Sequence, residues 1–196
     1  MKIVYIHGAS ATGDSFNYIR ANLKHPDEIV IEYNSGDGFE YNLNKMKLLL
    51  NTETEMFFIC HSLGGIYALH LADAFPEQVL GAITLSTPYG GAETADYVKY
   101  FLPFSRLLRD IGPKSKPMRS ANKIKIQHPW TNIVTIRGDS PWIVQANDGV
   151  VTVNSMSHRD DMKLITLNTN HYEVVITPDT INLIERAISE IISKNG

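Results

Sequence analysis

The stretch that most constrains the fold of this chain is 60–64, which reads Cys-His-Ser-Leu-Gly. An apolar, β-rich run precedes it and a helix-forming run follows it, so the pattern indicates a strand, a sharp turn and a helix with Ser62 at the apex. Strand and helix nearly touch at such a turn, and the positions flanking the serine must be small. Gly64 and Gly65 meet this need on the helix side. Cys60, itself small, stands where the strand side would carry a glycine.

A turn of this kind lifts the serine hydroxyl clear of the sheet and brings the backbone N–H of Leu63 beside it, where it can bond a developing oxyanion. The alternative is a buried strand followed by an ordinary helix with Ser62 as its N-cap. The visible strand before Ser62 and the visible helix after it favour a nucleophilic serine.

Short apolar, β-rich runs alternate with helical patterns along the chain, which is typical of parallel βαβ units. The predicted strands, most of them apolar on both faces, are 3–6, 28–33, 56–60, 82–86, 133–137 and 164–167. The predicted helices are 14–24, 41–50, 63–75, 92–111 with a break, 153–159 and 179–192. The sequence therefore predicts an α/β fold, with one doubly wound, mainly parallel sheet of about six strands.

Length and composition limit the class of protein. The 196 residues predict a single domain, 1–196, with room for a full core. A net charge of −3 gives no indication of a nucleic-acid partner, and one cysteine excludes an internal disulfide. No apolar run reaches the length of a membrane span. The first strand begins too early for a visible signal peptide, so we expect a cytoplasmic protein, although export without a signal would leave the same sequence.

One region, 92–130, is longer than a simple connection between two strands needs. Pro103 interrupts its helical pattern, and a short apolar face follows at Phe104, Leu107, Leu108 and Ile111. The stretch 112–125 is then basic, with no acidic residue. Two interpretations stay open for this insertion after the fourth strand: a helix over the sheet with a solvated basic loop, or a cap over the mouth of a site.

A nucleophilic serine needs a base, and the base needs an orienting acid. In this kind of fold the order along the chain is serine, acid, histidine, with the partners at the carboxyl ends of later strands. His171 lies just past the last predicted strand and before the final helix, where its side chain can reach Ser62. The alternative is an ordinary surface histidine. His61 adjoins the serine on the strand and His7 ends the first strand, so neither fits the order.

Two carboxylates compete for the role of the acid. Asp139 directly follows the fifth predicted strand, whereas Asp148 stands further on. The apolar pair Val150-Val151 can anchor the loop of Asp148, which favours Asp148. This preference also rests on the family pattern given below.

The loop after the first strand is the expected source of a second oxyanion donor. Gly8 allows a sharp turn there, which would direct the N–H of Ala9 towards the site. A plain strand-to-helix turn is the alternative. No spacing typical of a metal site, a Walker loop or a dinucleotide-binding loop is present in the sequence.

Together these motifs resemble the α/β-hydrolase superfamily, and within it the small bacterial lipases and esterases. The matching segments are 7–8, 61–65, 86–91, 147–151 and His171. The resemblance covers nearly the whole chain except 92–130. It implies an ester hydrolase without a cofactor or metal, in which Ser62, Asp148 and His171 form a triad and the N–H groups of Ala9 and Leu63 bind the oxyanion. Cys60 and the length of 92–130 depart from the family pattern, and the latter leaves the acyl-chain preference open.

We therefore expect a serine hydrolase that acts on carboxylic esters, with a small-molecule or lipid ester as substrate. Acyl transfer or thioester hydrolysis by the same residues is an alternative, and so is a non-catalytic binding module on this fold. The aromatic residues expected to line an acyl pocket are Tyr89, Tyr97, Phe101, Phe104, Trp130 and Trp142.

Overall fold

The protein is seen in a computed structural model that describes residues 1–91, 112, 114–138 and 143–195. The strands are β1 (Lys2–Ile6), β2 (Glu28–Ile31), β3 (Met56–His61), β4 (Val79–Leu85), β5 (Trp130–Thr135) and β6 (Lys163–Leu167). The described α-helices are α1 (Asn17–Leu23), α2 (Phe39–Leu50), α3 (Leu63–Ala74), α4 (Lys116–Ala121), α5 (Val153–Met156) and α6 (Pro178–Asn195). The helix predicted over 92–111 lies outside the described residues.

The strands form one all-parallel sheet in the order β2-β1-β3-β4-β5-β6, which confirms the predicted fold class. β1 lies between β2 and β3: its Ile6 pairs with Ile31 of β2 on one side and with Cys60 of β3 on the other. The chain therefore adds β2 on one side of β1 and all later strands on the other side, so the direction of winding reverses between β1 and β3. Loops leave the carboxyl ends of these two neighbours in opposite directions. A crevice for a ligand is expected at such a point in an open parallel sheet.

Both faces of the sheet are covered by helices, and β1 shows how its sequence achieves this. Val4 and Ile6 belong to the core beneath α2, α3 and α4, whereas Ile3 and Tyr5 belong to the core beneath α1 and α6. Alternate residues of an extended strand point to opposite faces, so a strand covered on both sides is expected to be apolar along most of its length. Of the helices in the described part of the chain, none is long and apolar enough to cross a membrane.

β5 differs from its prediction, since it spans Trp130–Thr135 and not 133–137. The polar residue Asn132 is fully buried within this strand. Its amide accepts a hydrogen bond from the Thr84 hydroxyl at 2.8 Å and donates one to the Met156 carbonyl at 2.8 Å. A buried amide with its bonds satisfied is compatible with a strand interior, whereas the sequence pattern favoured only the apolar residues that follow.

The basic stretch also differs from the predicted loop, because part of it forms α4 against α3. Ser115 caps this helix by accepting the N–H of Met118, and Pro117 and Met118 are buried. The Nε2–H of His70 on α3 donates to the carbonyl of Pro117 at 3.1 Å. The described part of the insertion therefore lies along the side of α3, and the cap prediction depends on residues 92–111, outside the described residues.

Candidate active site

The turn between β3 and α3 holds Ser62 in an unusual backbone conformation, with φ of 51° and ψ of −120°. A residue with a side chain rarely adopts a positive φ, and such strain persists only where the surroundings enforce it. The N–H of Ser62 donates to the carbonyl of Leu85 at 2.8 Å. Its own carbonyl accepts the N–H of Gly65 and the hydroxyl of Thr87, each at 3.0 Å. Hydrogen bonds with α3, with the end of β4 and with the loop after it thus fix the turn that carries the Ser62 side chain.

The two glycines after Ser62 are required by close contacts. A Cβ on Gly64 would lie 2.0 Å from the carbonyl oxygen of Ile6, and one on Gly65 would lie 2.2 Å from the Thr87 hydroxyl oxygen. On the strand side, Cys60 is fully buried, and this burial raises the pKa of its thiol well above the usual value. A buried, protonated cysteine therefore fills the place where the sequence departs from the glycine pattern.

The two predicted oxyanion donors lie at the same edge as Ser62. A Cβ on Gly8 would be 3.2 Å from the Cβ of Ser62, so the loop after β1 passes directly beside the serine. Leu63 is the first residue of α3, and its N–H has no acceptor within the helix. In the loop, the N–H groups of Ser10 and Gly13 are bonded to Ser35 and Glu32, whereas that of Ala9 has no partner among the described residues.

His7 and Tyr33 hold this loop in place. The His7 ring, 1% exposed, donates from Nδ1 to the carbonyl of Gly8 at 2.8 Å and stacks on the Tyr33 ring with centroids 4.2 Å apart. The Tyr33 hydroxyl donates to the carbonyl of His7 at 2.9 Å. Burial lowers the pKa of His7, so its ring is neutral at pH 7. The ring stabilises the conformation of the loop through its hydrogen bond to Gly8.

His171 and Asp148 are joined in the buried part of the site. The Nδ1–H of His171 donates to Oδ2 of Asp148 at 2.7 Å, and the backbone N–H of His171 donates to the carbonyl of Asp148 at 3.0 Å. Oδ2 also accepts the hydroxyl of Thr135 at 2.5 Å. Oδ1 accepts the N–H groups of Val150 and Val151 at 3.0 and 2.7 Å. The apolar pair expected to anchor this loop thus also donates to the carboxylate.

These contacts determine the charge of Asp148. Burial alone would raise the pKa of the carboxyl, but the hydrogen bond and charge of His171, together with the bonds from Thr135 and Val151, lower the pKa overall. Asp148 is therefore a carboxylate at neutral pH, and it holds the Nδ1 proton on His171, which leaves Nε2 free to act as a base. The rival acid, Asp139, lies outside the described residues.

His61 has a contact that the sequence pattern did not indicate. Its Nε2–H donates to the backbone carbonyl of His171 at 2.9 Å, and the two ring centroids are 4.8 Å apart. Burial, with the nearby His171, lowers the pKa of His61 to about 3, so its ring stays neutral. No hydrogen bond joins the Ser62 hydroxyl to His171 within the described part of the chain, and His61 is the link between them, next to Ser62 in sequence and bonded to His171 in space.

Two of the expected pocket aromatics lie in the core. Tyr89 is 1% exposed and Trp130 is 4% exposed, and the indole N–H of Trp130 donates to the Tyr89 hydroxyl at 2.8 Å. That hydroxyl in turn donates to the Thr84 hydroxyl at 3.1 Å. Trp130 also begins β5, at the opposite end of the strand from the sheet edge that carries Ser62. This placement corrects the expectation that they line a pocket at the mouth. Tyr97, Phe101, Phe104 and Trp142 lie outside the described residues.

Comparison with known proteins gives structural neighbours only. No protein-family model and no curated protein matches the sequence. Phospholipase PlaB from Legionella pneumophila is similar in structure at a TM-score of 0.78 and 12% identity, covering 99% of this chain and 62% of that one. Monoacylglycerol lipase from Paleococcus ferrophilus has a TM-score of 0.65 at 17% identity, with 98% and 94% of the two chains covered.

Alpha/beta hydrolase domain-containing protein 10 from mouse is also similar, with a TM-score of 0.64, 16% identity and 100% and 90% of the two chains covered. At these identities the likeness concerns the fold. In the described ranges there is also no group of His, Cys, Asp and Glu that could hold a metal ion. The parallel sheet, the strained turn at Ser62 and these neighbours lead to one conclusion: the chain has the fold of the α/β hydrolases.

Proposed function

We propose that this chain is a serine hydrolase that cleaves carboxylic esters through an acyl-enzyme on Ser62. The observation that carries the proposal is the buried hydrogen bond between His171 and Asp148, at the same sheet edge as the strained turn of Ser62. A carboxylate that fixes the tautomer of a histidine at the same sheet edge as a half-buried serine turn is the arrangement that activates a serine hydroxyl.

In the proposed mechanism, the Ser62 hydroxyl attacks the ester carbonyl while Nε2 of His171 takes its proton. Asp148 stabilises the resulting imidazolium through Nδ1–H. The oxyanion of the tetrahedral intermediate accepts hydrogen bonds from the N–H groups of Ala9 and Leu63. His171 then gives its proton to the leaving alcohol. Water, activated by the same imidazole, finally cleaves the acyl-enzyme and restores Ser62.

The names of the structural neighbours support esters as the substrate class, since two of them are a phospholipase and a monoacylglycerol lipase. Thioester hydrolysis and acyl transfer would use the same residues and differ only in the leaving group or the acceptor. A panel of matched acyl esters and acyl thioesters separates ester hydrolysis from thioester hydrolysis, and addition of an alcohol acceptor with analysis of the products separates hydrolysis from acyl transfer. We expect the higher kcat/KM on the oxygen esters, and the reverse order would assign a thioesterase.

The test of the nucleophile is Ser62→Ala. We expect kcat/KM on p-nitrophenyl acetate and butyrate to fall at least about 1,000-fold, because only binding and the oxyanion donors remain. A fluorophosphonate should add to Ser62 of the wild type, as read by peptide mass spectrometry, and should not add to the variant. Ser189→Ala, on the exposed side of α6, is the matched control and should retain wild-type activity. Near-normal ester turnover by Ser62→Ala would contradict the proposal.

A further inference from the structure

The contact between His61 and His171 crosses 110 residues of sequence and joins two sides of the site. His61 is the last residue of β3 and is 6% exposed. A carbonyl oxygen only accepts hydrogen bonds, so the Nε2 of His61 must carry the proton that bonds to His171. The Nδ1 of His61 is then left as an acceptor.

That acceptor has no hydrogen-bond partner among the described residues, although it is buried. It lies against the loop after β1, because a Cβ on Gly8 would be 3.1 Å from it. An unpaired buried acceptor costs free energy, and an apolar side chain at this position would avoid that cost. The hydrogen bond made by the other ring nitrogen, Nε2, must therefore provide an advantage that accounts for a histidine at position 61.

The advantage of this hydrogen bond is that it fixes the backbone of His171. On one side of His171, its N–H and its Nδ1–H both bond to Asp148. On the other side, its carbonyl is held by His61, the residue next to Ser62 in the chain. The direction in which the Nε2 of His171 points depends on both attachments. Nucleophile and base must meet within hydrogen-bond reach, and small misplacements lower the rate steeply.

We propose that His61 is a positioning residue: by holding the His171 carbonyl from the position next to Ser62, it sets the distance between the serine hydroxyl and the catalytic imidazole. This inference rests on the proposed function, because it assigns His61 an effect on the reaction of Ser62 with esters. It predicts that the donor at the place of Nε2 matters and that the identity of the ring does not.

The chain offers a matched control for the bond itself. His70 on α3 makes the same kind of contact, from Nε2 to the carbonyl of Pro117 at 3.1 Å, but joins α3 to α4 and not the nucleophile to the base. If such a bond only stabilises the fold, its loss at His70 and at His61 should have similar consequences for the active enzyme.

The experiment compares His61→Gln with His61→Asn, which differ by one methylene. A glutamine amide N–H reaches the place of Nε2, whereas an asparagine amide ends near the place of Nδ1. Active sites are counted by fluorophosphonate titration, and kcat and KM are measured per titrated site on p-nitrophenyl butyrate. We expect His61→Asn to lower kcat at least about tenfold with KM nearly unchanged, and His61→Gln to stay within about threefold of the wild type. His70→Asn should keep wild-type kcat per site.

A second measurement does not depend on ester turnover. Hydrogen–deuterium exchange of the peptide that covers 168–176 should be faster in His61→Asn than in His61→Gln, because only glutamine retains the bond to the His171 carbonyl. Equal kcat per site in the two variants, or equal exchange of this peptide, would overturn the role of His61. If the wild type hydrolyses no ester while exchange still differs between the variants, the proposed function fails and the positioning contact stands.

Discussion

Among single residues, Asp148 shows how surrounding donors fix the charge and the orientation of a buried carboxylate. Within the described ranges, its carboxylate accepts four hydrogen bonds: from the His171 ring, the Thr135 hydroxyl and the N–H groups of Val150 and Val151. Thr135 in turn accepts the hydroxyl of Ser86 at 2.8 Å, since its own proton is used on Asp148. Thr135 ends β5, and Ser86 directly follows the neighbouring strand β4. The orientation of Asp148 therefore depends on the carboxyl edge of the sheet as well as on its own loop.

Thr135→Val tests this dependence, because valine keeps the shape of threonine and removes the donor to Asp148. We expect kcat on p-nitrophenyl butyrate to fall about tenfold with little change in KM, and the free energy of unfolding to fall by about 1–3 kcal/mol. Thr135→Ser should restore most of the loss in kcat. Thr84→Val is the control, since the Thr84 hydroxyl bonds to Asn132 and not to Asp148. Equal kcat in Thr135→Val and Thr84→Val would argue against a role for Thr135 in orienting the acid.

The sequence indicated some of these residues and missed others for a physical reason. Ser62, Asp148 and His171 follow the order that the fold requires, and the structure joins Asp148 to His171. His61 and Thr135 leave no comparable pattern. One bonds a backbone carbonyl far along the chain, and the other is one more β-branched residue in a strand. Trp130 was expected at the mouth because it was placed in a loop, whereas it begins a strand inside the core.

At the level of elements, the turn between β3 and α3 is where sequence and structure agree most closely. The small residues of this turn are consecutive in the sequence, so the motif can be recognised from the chain, although the contacts that require Gly64 and Gly65 come from Ile6 and Thr87. The limits of β5 and the existence of α4 depend on partners elsewhere: Asn132 is satisfied by Thr84 and Met156, and α4 by its packing on α3. Such compensation by distant groups is invisible in a local pattern.

Gly64→Ala is expected to disrupt the junction of α3 with β1. The new Cβ would lie 2.0 Å from the carbonyl oxygen of Ile6 and 2.8 Å from that of His7, both backbone atoms that cannot move aside alone. We expect a loss of about 3 kcal/mol or more in the free energy of unfolding, measured in urea, together with loss of ester turnover. Gly36→Ala serves as the control, because the nearest atom to its Cβ is the side-chain oxygen of Asn34 at 3.2 Å. Similar stability of both variants would contradict the close approach of α3 to β1.

The segment 92–111 gives a second prediction at this level. We propose that its apolar face, which includes Phe104, covers the acyl pocket. If so, Phe104→Ala should shift the ratio of kcat/KM between p-nitrophenyl butyrate and decanoate, with a modest change in stability. Leu23→Ala, at the end of α1, is a comparison for loss of an apolar side chain away from the catalytic edge. A loss of about 3–5 kcal/mol in unfolding free energy with an unchanged ratio would assign Phe104 to the core.

Across the whole molecule, burying the sheet on both faces also buries groups that can ionise. His7, His61 and His70 are held by hydrogen bonds to or from backbone groups, and burial lowers the pKa of each. A histidine that is neutral in the fold but accepts a proton when the chain unfolds links stability to pH. The same packing that positions Ser62, His171 and Asp148 at the sheet edge therefore makes the fold sensitive to acid.

This sensitivity can be measured at His61, whose pKa falls from an ordinary 6.5 to about 3 in the folded chain. Between those values the unfolded chain binds a proton that the folded chain does not, so the free energy of unfolding decreases as the pH falls. At about 1.4 kcal/mol per pH unit below the ordinary pKa, His61 alone should remove about 2 to 3 kcal/mol between pH 7 and 4.5. Asp148 has a lowered pKa, so it reduces the free energy of unfolding only below its ordinary pKa of 3.8, outside this range.

Urea unfolding of the wild type and of His61→Gln at pH 7, 6, 5 and 4.5 isolates the effect of His61, because glutamine does not titrate. The wild type should lose more stability than the variant by that amount, whereas parallel curves would show that His61 is not buried as a neutral ring.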